Sequence, residues 1–384
     1  MKKVLLLQPS LQPRGGGNAL AVWIIEALKR EFAVSVLTWT PVSVAAINRF
    51  YGTSLNPSDF EVHCVPRLLR SLVELDPDPH SVQKLSLLMR LCKRMKDDYD
   101  VVIAANGEAD LGCRGIQYIQ YPWFHHFEPI CRHFAALSWY QRLWGMMQGR
   151  YRPWMAISGY SFDRMKKNMT LVNSDWTGSK CREFYGIETT TVYPPVPGGF
   201  PEVPWEQREN GFVCIGRISE EKRLENIIDI LSDVRLRSED IHLHIIGTRG
   251  HDLDYYRRVI QKVRENAHWV FLNENLPREE LIRLASKHKY GIHGMMDEHF
   301  GMAVAEMVKA GCISFVPRDG GQTEIVGRDD RLTYETDEQA VERILRVMSN
   351  PDEQASIRDY LRSRKELFSA ETFMHSIREI VRRF

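Results

Sequence analysis

The chain has 384 residues, of which 43% are hydrophobic and 26% charged, with a net charge of +1. That length predicts two domains, and that composition describes an ordinary globular chain. The near-zero charge gives no basis for nucleic-acid binding. The cysteines at 64, 92, 113, 131, 181, 214 and 312 are scattered singly and point to neither a zinc site nor a disulfide framework, so a reducing cytoplasm is the expected location.

Residues 4–7 read as a short buried strand. The apolar run stops at Gln8-Pro9, too short for the hydrophobic segment of a signal sequence. No run of about 18 apolar residues is available to cross a membrane. The triplet Gly15-Gly16-Gly17 reads as a loop, followed by a helix carrying Leu20, Val22, Trp23, Ile24, Ala27 and Leu28. Strand, glycine-rich loop and helix place backbone amides against a phosphate in an open α/β sheet. The triplet is not Gly-x-Gly-x-x-Gly, so a dinucleotide cofactor is not indicated.

Further strands are expected at residues 34–38, 61–65, 99–104 and 116–119, with a helix at 82–95. This alternation predicts a doubly wound parallel sheet. Ligands bind beyond the carboxyl ends of such strands, which makes Asn106 and Glu108 acceptor-side candidates. Gln120-Tyr121-Pro122-Trp123 leads to two more, His125 and His126. Residues 134–155 mix Trp139, Tyr140, Trp144, Tyr151 and Trp154 with Arg142, Arg150 and Arg152, a composition found in interfacial helices and in partly buried ones. Asn173-Ser174 reads as a strand running into a helix cap. The prolines at 194, 195, 197, 201 and 204 fit neither a helix nor a central strand and mark a domain boundary.

Beyond it, a strand delivers Gly216-Arg217 and the next turn delivers Lys222. Two cations at a strand's carboxyl end suit a diphosphate, and a solvated charged turn is the plainer alternative. Strands follow at 241–246 and 270–272, then the turn Asn273-Glu274-Asn275-Leu276 and a helix at 278–285. The stretch 291–327 holds Glu298 and Glu306, with Phe300-Gly301-Met302 between them and Gly320-Gly321 beyond. A helix is predicted to start near Gly301 and to stop at Gly311, with Glu306 inside it and Glu298 in the loop before it. The amides of Gly301, Met302 and Ala303 then face a ligand from a helix N-terminus, a natural phosphate site. Eight residues at helical rise is roughly 12 Å. That exceeds the ~5–9.5 Å spacing of glycoside-hydrolysing pairs, so the two carboxylates read as hydroxyl-binding groups. A last amphipathic helix carries Phe373, Ile377, Ile380 and Val381.

These motifs resemble the retaining glycosyltransferases of family 4 (group 1). Glu298-His299-Phe300-Gly301 with Glu306 is similar to their Glu-x7-Glu, and Gly320-Gly321 with Glu324-Ile325-Val326 to their Gly-Gly turn. Gly216, Arg217, Glu221, Lys222 and Arg223 are similar to their phosphate-binding motif, and Asn173-Ser174 and Tyr193-Pro194-Pro195 to the end of their first domain. The resemblance implies the GT-B fold, with two Rossmann-like domains facing across a cleft. Here these would be an acceptor-side domain at 1–197, a nucleotide-sugar domain at 198–365, and a helix at 366–384 returning to the first domain.

It also implies transfer of a hexose from a nucleotide diphosphate with retention, without a metal or any cofactor beyond the donor. On this reading Glu298 holds hydroxyls of the sugar, Glu306 holds the ribose, and Arg217 and Lys222 stabilise the leaving diphosphate. Gly16, Gly17, Gly216, Asn273, Leu276, Phe300, Gly301, Met302 and Ala303 complete the donor site. Related transferases often carry a histidine where this chain has Gln120, which donates and accepts hydrogen bonds but cannot serve as a proton carrier. Local similarity to mannosyltransferases that extend lipid-linked oligosaccharides points to GDP-mannose, with a UDP-hexose as the other candidate donor. A lipid-linked acceptor implies peripheral contact with the cytoplasmic face of a membrane. Two alternatives remain open, a sugar-nucleotide epimerase and a non-catalytic sugar-nucleotide-binding relative.

Overall fold

The computed structural model describes residues 1–12, 15–65, 82–147, 158–237 and 240–384. Tyr151, Trp154, Arg150 and Arg152 lie outside the described residues. The chain divides into two units, Met1–Pro195 with Ala370–Phe384, and Val196–Ser369.

The first unit is built on β1 (Lys3–Leu7), β2 (Ala33–Thr38), β3 (Phe60–Cys64), β4 (Val101–Ala104), β5 (Ile116–Ile119), β6 (Met169–Val172) and β7 (Thr190–Thr191). They form one sheet in the order β3-β2-β1-β4-β5-β6-β7, with every pairing parallel. The continuous apolar run of β1 follows from burial on both faces. Val4 and Leu6 enter one core with Leu20, Ile24 and Leu28, while Leu5 and Leu7 enter another with Leu88 and Met89. The first core is closed by Phe373, Ile377 and Val381 from the helix Ala370–Arg383.

One local expectation changes. Gly15, Gly16 and Gly17 are not a loop but the first turn of the helix Gly15–Leu28. The Gln120 amide lies against the start of that helix, 3.4 Å from where a Cβ of Gly17 would be, an ordinary contact distance.

The second unit has β8 (Glu209–Ile215), β9 (His242–Gly247), β10 (Val270–Glu274), β11 (His288–Ile292), β12 (Ile313–Pro317) and β13 (Thr333–Tyr334). Their order is β10-β9-β8-β11-β12-β13, again all parallel. In each sheet the order reverses once, between β1 and β4 and between β8 and β11. Connections diverge to opposite faces at such a point and leave a crevice beyond the carboxyl ends of the two strands. The loops leaving β8 and β11 therefore meet, although Lys222 and Glu298 lie on separate stretches of chain.

Candidate active site

The loop after β8 turns through a single 3-10 turn, Glu220–Lys222, and Arg223 adopts a left-handed conformation before the helix Leu224–Arg237. This turn sends Lys222 back over the sheet end. Its Nζ lies 2.6 Å from Oε2 of Glu298 and 3.1 Å from Sδ of Met295. Both charged side chains are only 16% exposed, so the pair is shielded from solvent. Arg217, at the end of β8, is half exposed and 3.9 Å from Glu221, whose carboxylate also accepts a 2.6 Å hydrogen bond from Ser219. Of the two cations, Lys222 is fixed and Arg217 is able to swing.

Glu298 is held from three sides. His293, at the carboxyl end of β11 and 1% exposed, places Nε2 3.3 Å from the same Oε2, outside hydrogen-bond geometry. Burial raises the Glu298 carboxyl, but His293 and the Lys222 ammonium outweigh it and hold the group well below the ordinary carboxylate range. Burial lowers the His293 imidazole, so we assign the charge compensation to Lys222. The Glu298 backbone is clamped by the Gly-Gly turn: its carbonyl accepts from Gly321 N at 2.7 Å, and the Gln322 amide donates to the Met295 carbonyl at 3.0 Å. Gly320 has φ +96°, and a Cβ there would lie 2.6 Å from the Glu298 carbonyl oxygen. Only glycine combines that conformation with that approach.

Directly after this loop, Gly301 caps the helix Met302–Ala310 with φ +101°. The first bond of the helix runs from Ala305 N to Gly301 O at 3.0 Å. The amides of Met302 and Ala303 thus belong to the turn that has no acceptor within the helix, in the segment directly after Glu298, whose carboxylate holds Lys222. Oriented amides and a buried cation in one place form an anion site. Phe300 contributes backbone only, because its ring is buried against Phe368.

Glu306 lies on the helix as expected, but its carboxylate is ion-paired with Arg278, whose other nitrogen donates to the Pro197 carbonyl at 2.8 Å. Arg278 opens the helix Arg278–Ser286; Asn273, expected in a turn with Leu276, instead lies in β10, and Leu276 follows between strand and helix. Both of those residues are part-exposed, and Asn273 Oδ1 lies 2.8 Å from Nδ1 of His244. Sequence reading singles out neither Arg278 nor His293. A cation at a helix start after Pro277 and a histidine at a switch-point strand end were the available signals.

In the first unit, Asn106, Glu108, Gln120 and His126 line one cavity of about 500 Å³ with Trp123 and Phe124. His125 is not among the lining residues. Its Nδ1 lies 2.7 Å from the Pro122 carbonyl and its ring stacks on Phe184. Glu108 forms part of the buried wall, accepting from Phe124 N at 2.8 Å and from the Tyr185 hydroxyl at 2.6 Å. Burial pushes its carboxyl up to about 7 despite these two donors. Gly16 and Gly17 belong to this unit, at the first turn of their helix, so they are described with this cavity and not with the Lys222–Glu298 pair.

The architecture is that of the GT-B glycosyltransferases. Over nearly its whole length the chain resembles WaaG, a glycosyltransferase involved in lipopolysaccharide biosynthesis, at 14% identity and TM-score 0.64, covering 98% of this chain and 99% of that one. It likewise resembles Anabaena Alr3699/HepE in complex with UDP and glucose, at 16% identity and TM-score 0.64, covering 100% of both chains. Residues 200–364 match the family described as Glycosyl transferases group 1, so the second unit is a glycosyl transferases group 1 domain. Among curated proteins, the chain is similar to the GDP-Man:Man(3)GlcNAc(2)-PP-Dol alpha-1,2-mannosyltransferases of Candida glabrata and Homo sapiens. Identities are 29% and 25%, covering 40% and 56% of this chain and 34% and 49% of those relatives. The chain therefore spans between a third and a half of the length of these two proteins.

Two outcomes are expected from this geometry. Gly320→Ala forces a side chain into a left-handed position against the Glu298 backbone, costing about 1–3 kcal/mol in urea unfolding. An unchanged unfolding midpoint would remove the clamp from the account. For Glu108, the folded value of about 7 lies above the ordinary 4.5, so the stability its neutral form contributes is complete below pH 4.5 and is lost as pH rises through 7. Glu108→Gln keeps an acceptor oxygen, so at pH 8 it unfolds later than the wild type by roughly 1–3 kcal/mol, with no gain at pH 4. Parallel pH profiles for the two proteins would contradict this.

Proposed function

We propose that this chain is a retaining glycosyltransferase that moves a hexose from a nucleoside diphosphate sugar to a hydroxyl acceptor. The observation that carries this reading is the shielded Lys222–Glu298 pair, set beside a helix N-terminus at the switch point of the second sheet. In this reading the diphosphate lies between Lys222, Arg217 and the amides of Met302 and Ala303. Glu298, kept ionised, accepts hydrogen bonds from the hydroxyls of the transferred sugar. Glu306, oriented by Arg278, accepts from the ribose.

The bond from C1 of the sugar to the diphosphate breaks, and a bond from C1 to the acceptor oxygen forms on the same face. The acceptor proton passes to the departing phosphate oxygen. Charge developing on that phosphate is met by groups already in place, which is the most effective form of electrostatic catalysis. The cations and amides of the chain suffice for this, so no metal ion is assigned to the step.

GDP-mannose is the donor we favour, on the strength of the relatives' named donor, and a UDP-hexose is the comparison. We assign the acceptor to the first-unit cavity beside Gln120 and Glu108, and a lipid-linked acceptor fits the exposed aromatic surface of the same unit. Trp139, Tyr140, Trp144 and Met147 on the helix Trp139–Met147 are all more than half exposed, as required of a segment resting on the cytoplasmic face of a membrane.

The test is a transfer assay with GDP-mannose or UDP-glucose and polyprenyl-diphosphate oligosaccharide acceptors, read by mass spectrometry. Acceptor-dependent product is expected with one donor. Glu298→Gln should lower its rate by roughly 100-fold or more, and Glu306→Gln should weaken nucleotide binding. Product formed without acceptor would indicate an epimerase. Nucleotide binding without product across the panel would indicate a non-catalytic relative.

A further inference from the structure

At the other end of the second sheet, three histidines converge. His242 and His244 are the first and third residues of β9, so they project from one face. His288 is the first residue of β11. Between these two strands runs β8, which begins at Glu209. Ring nitrogens of the three histidines all lie within 4.8 Å of one another. Nε2 of His242 is 2.9 Å from Nε2 of His288, and Oε2 of Glu209 is 3.4 Å from the first and 3.8 Å from the second.

The backbone makes room for this meeting. His242 pairs in register with Gly211 of β8, and a Cβ at 211 would lie 2.4 Å from His242 Nε2. A side chain there would push the ring away from His288. Two of the rings are also turned by an outer partner. Nδ1 of His288 lies 2.7 Å from the Leu284 carbonyl, which fixes the proton on that nitrogen and leaves Nε2 with its lone pair. Nδ1 of His244 lies 2.8 Å from Asn273 Oδ1, which does the same. Such partners are what orient imidazoles toward a metal.

We propose that His242, His244, His288 and Glu209 form a closed site for one zinc-type divalent ion. Zinc takes four ligands at about 2.0–2.2 Å in a tetrahedron, whose edges are then roughly 3.3 Å. The separations of 2.9, 3.4 and 3.8 Å among His242, His288 and Glu209 reach that figure by small side-chain shifts, and His244, within 4.8 Å of the other two imidazoles, by a larger one. Three imidazoles and one carboxylate select a borderline metal over magnesium or calcium. With all four positions supplied by protein the ion is structural, tying β8, β9 and β11 together at their amino ends. The seven residues of β8 place it roughly 20 Å from Arg217, so it takes no part in the step proposed above. The sequence reading assigned no metal to the chain. Cysteine spacing and acidic motifs carry no signal for this site, because the histidines meet only through strand register.

The test uses the full chain, stripped with a chelator and titrated with Co2+ and then Zn2+. One equivalent of Co2+ should give the intense visible bands of a tetrahedral ion, and one equivalent of Zn2+ should abolish them and raise the melting temperature. The double variant His242→Ala/His244→Ala should lose affinity by roughly 100-fold or more. Circular dichroism should match that of the metal-free wild type. Absence of a stoichiometric tetrahedral spectrum in the wild type, or an unchanged spectrum in a folded double variant, overturns the proposal.

Discussion

The ion pair between Lys222 and Glu298 is the contact on which the second unit's site depends. Neither charge is stable there alone. Two groups this shielded carry a desolvation penalty of several kcal/mol each, offset only by close mutual contact. Their 2.6 Å contact exists because the sheet order brings the loops after β8 and β11 together. Removing either partner would leave an uncompensated charge, so the pair fixes the loop geometry as well as the electrostatics. His293 beneath it and the Gly320-Gly321 turn beside it act as supports, one through the side chain and one through the backbone.

The same arrangement prepares the site for an anion without committing it to one. Lys222 is already held by Glu298 and Met295, so little side-chain entropy remains to be lost when a phosphate arrives. Arg217 is half exposed and weakly held, free to close on a ligand with its planar fork. Glu306 and Arg278 repeat the logic one helix away, a carboxylate oriented by a cation at the start of the helix Arg278–Ser286. Charge is paired throughout the resting site.

Much of this was legible in the sequence where the signal is local. The apolar run at residues 4–7 marks β1, and residues 116–119 coincide with β5. The helix was placed near Gly301 and its stop at Gly311, and it spans Met302–Ala310. Glu298, Lys222, Arg217 and Glu306 were named as site residues, but not what each would touch. Pairing depends on strand order, which composition and periodicity do not encode. Arg278 and His293 escaped for that reason, and so did the histidines of β9 and β11, which are brought together across Gly211. The glycine triplet misled in the opposite direction. Its local meaning is a loop, yet it forms the first turn of the helix Gly15–Leu28.

The account rests on the claim that Lys222 is the fixed half of a diphosphate site. Calorimetric titration of GDP, UDP and guanosine into the wild type and into Lys222→Met tests it most directly. A nucleoside diphosphate should bind the wild type, the nucleoside should bind roughly 100-fold more weakly, and Lys222→Met should lose a comparable factor, about 2.7 kcal/mol. Equal affinity of wild type and a folded Lys222→Met for the diphosphate, or no binding of either diphosphate to the wild type, would contradict it.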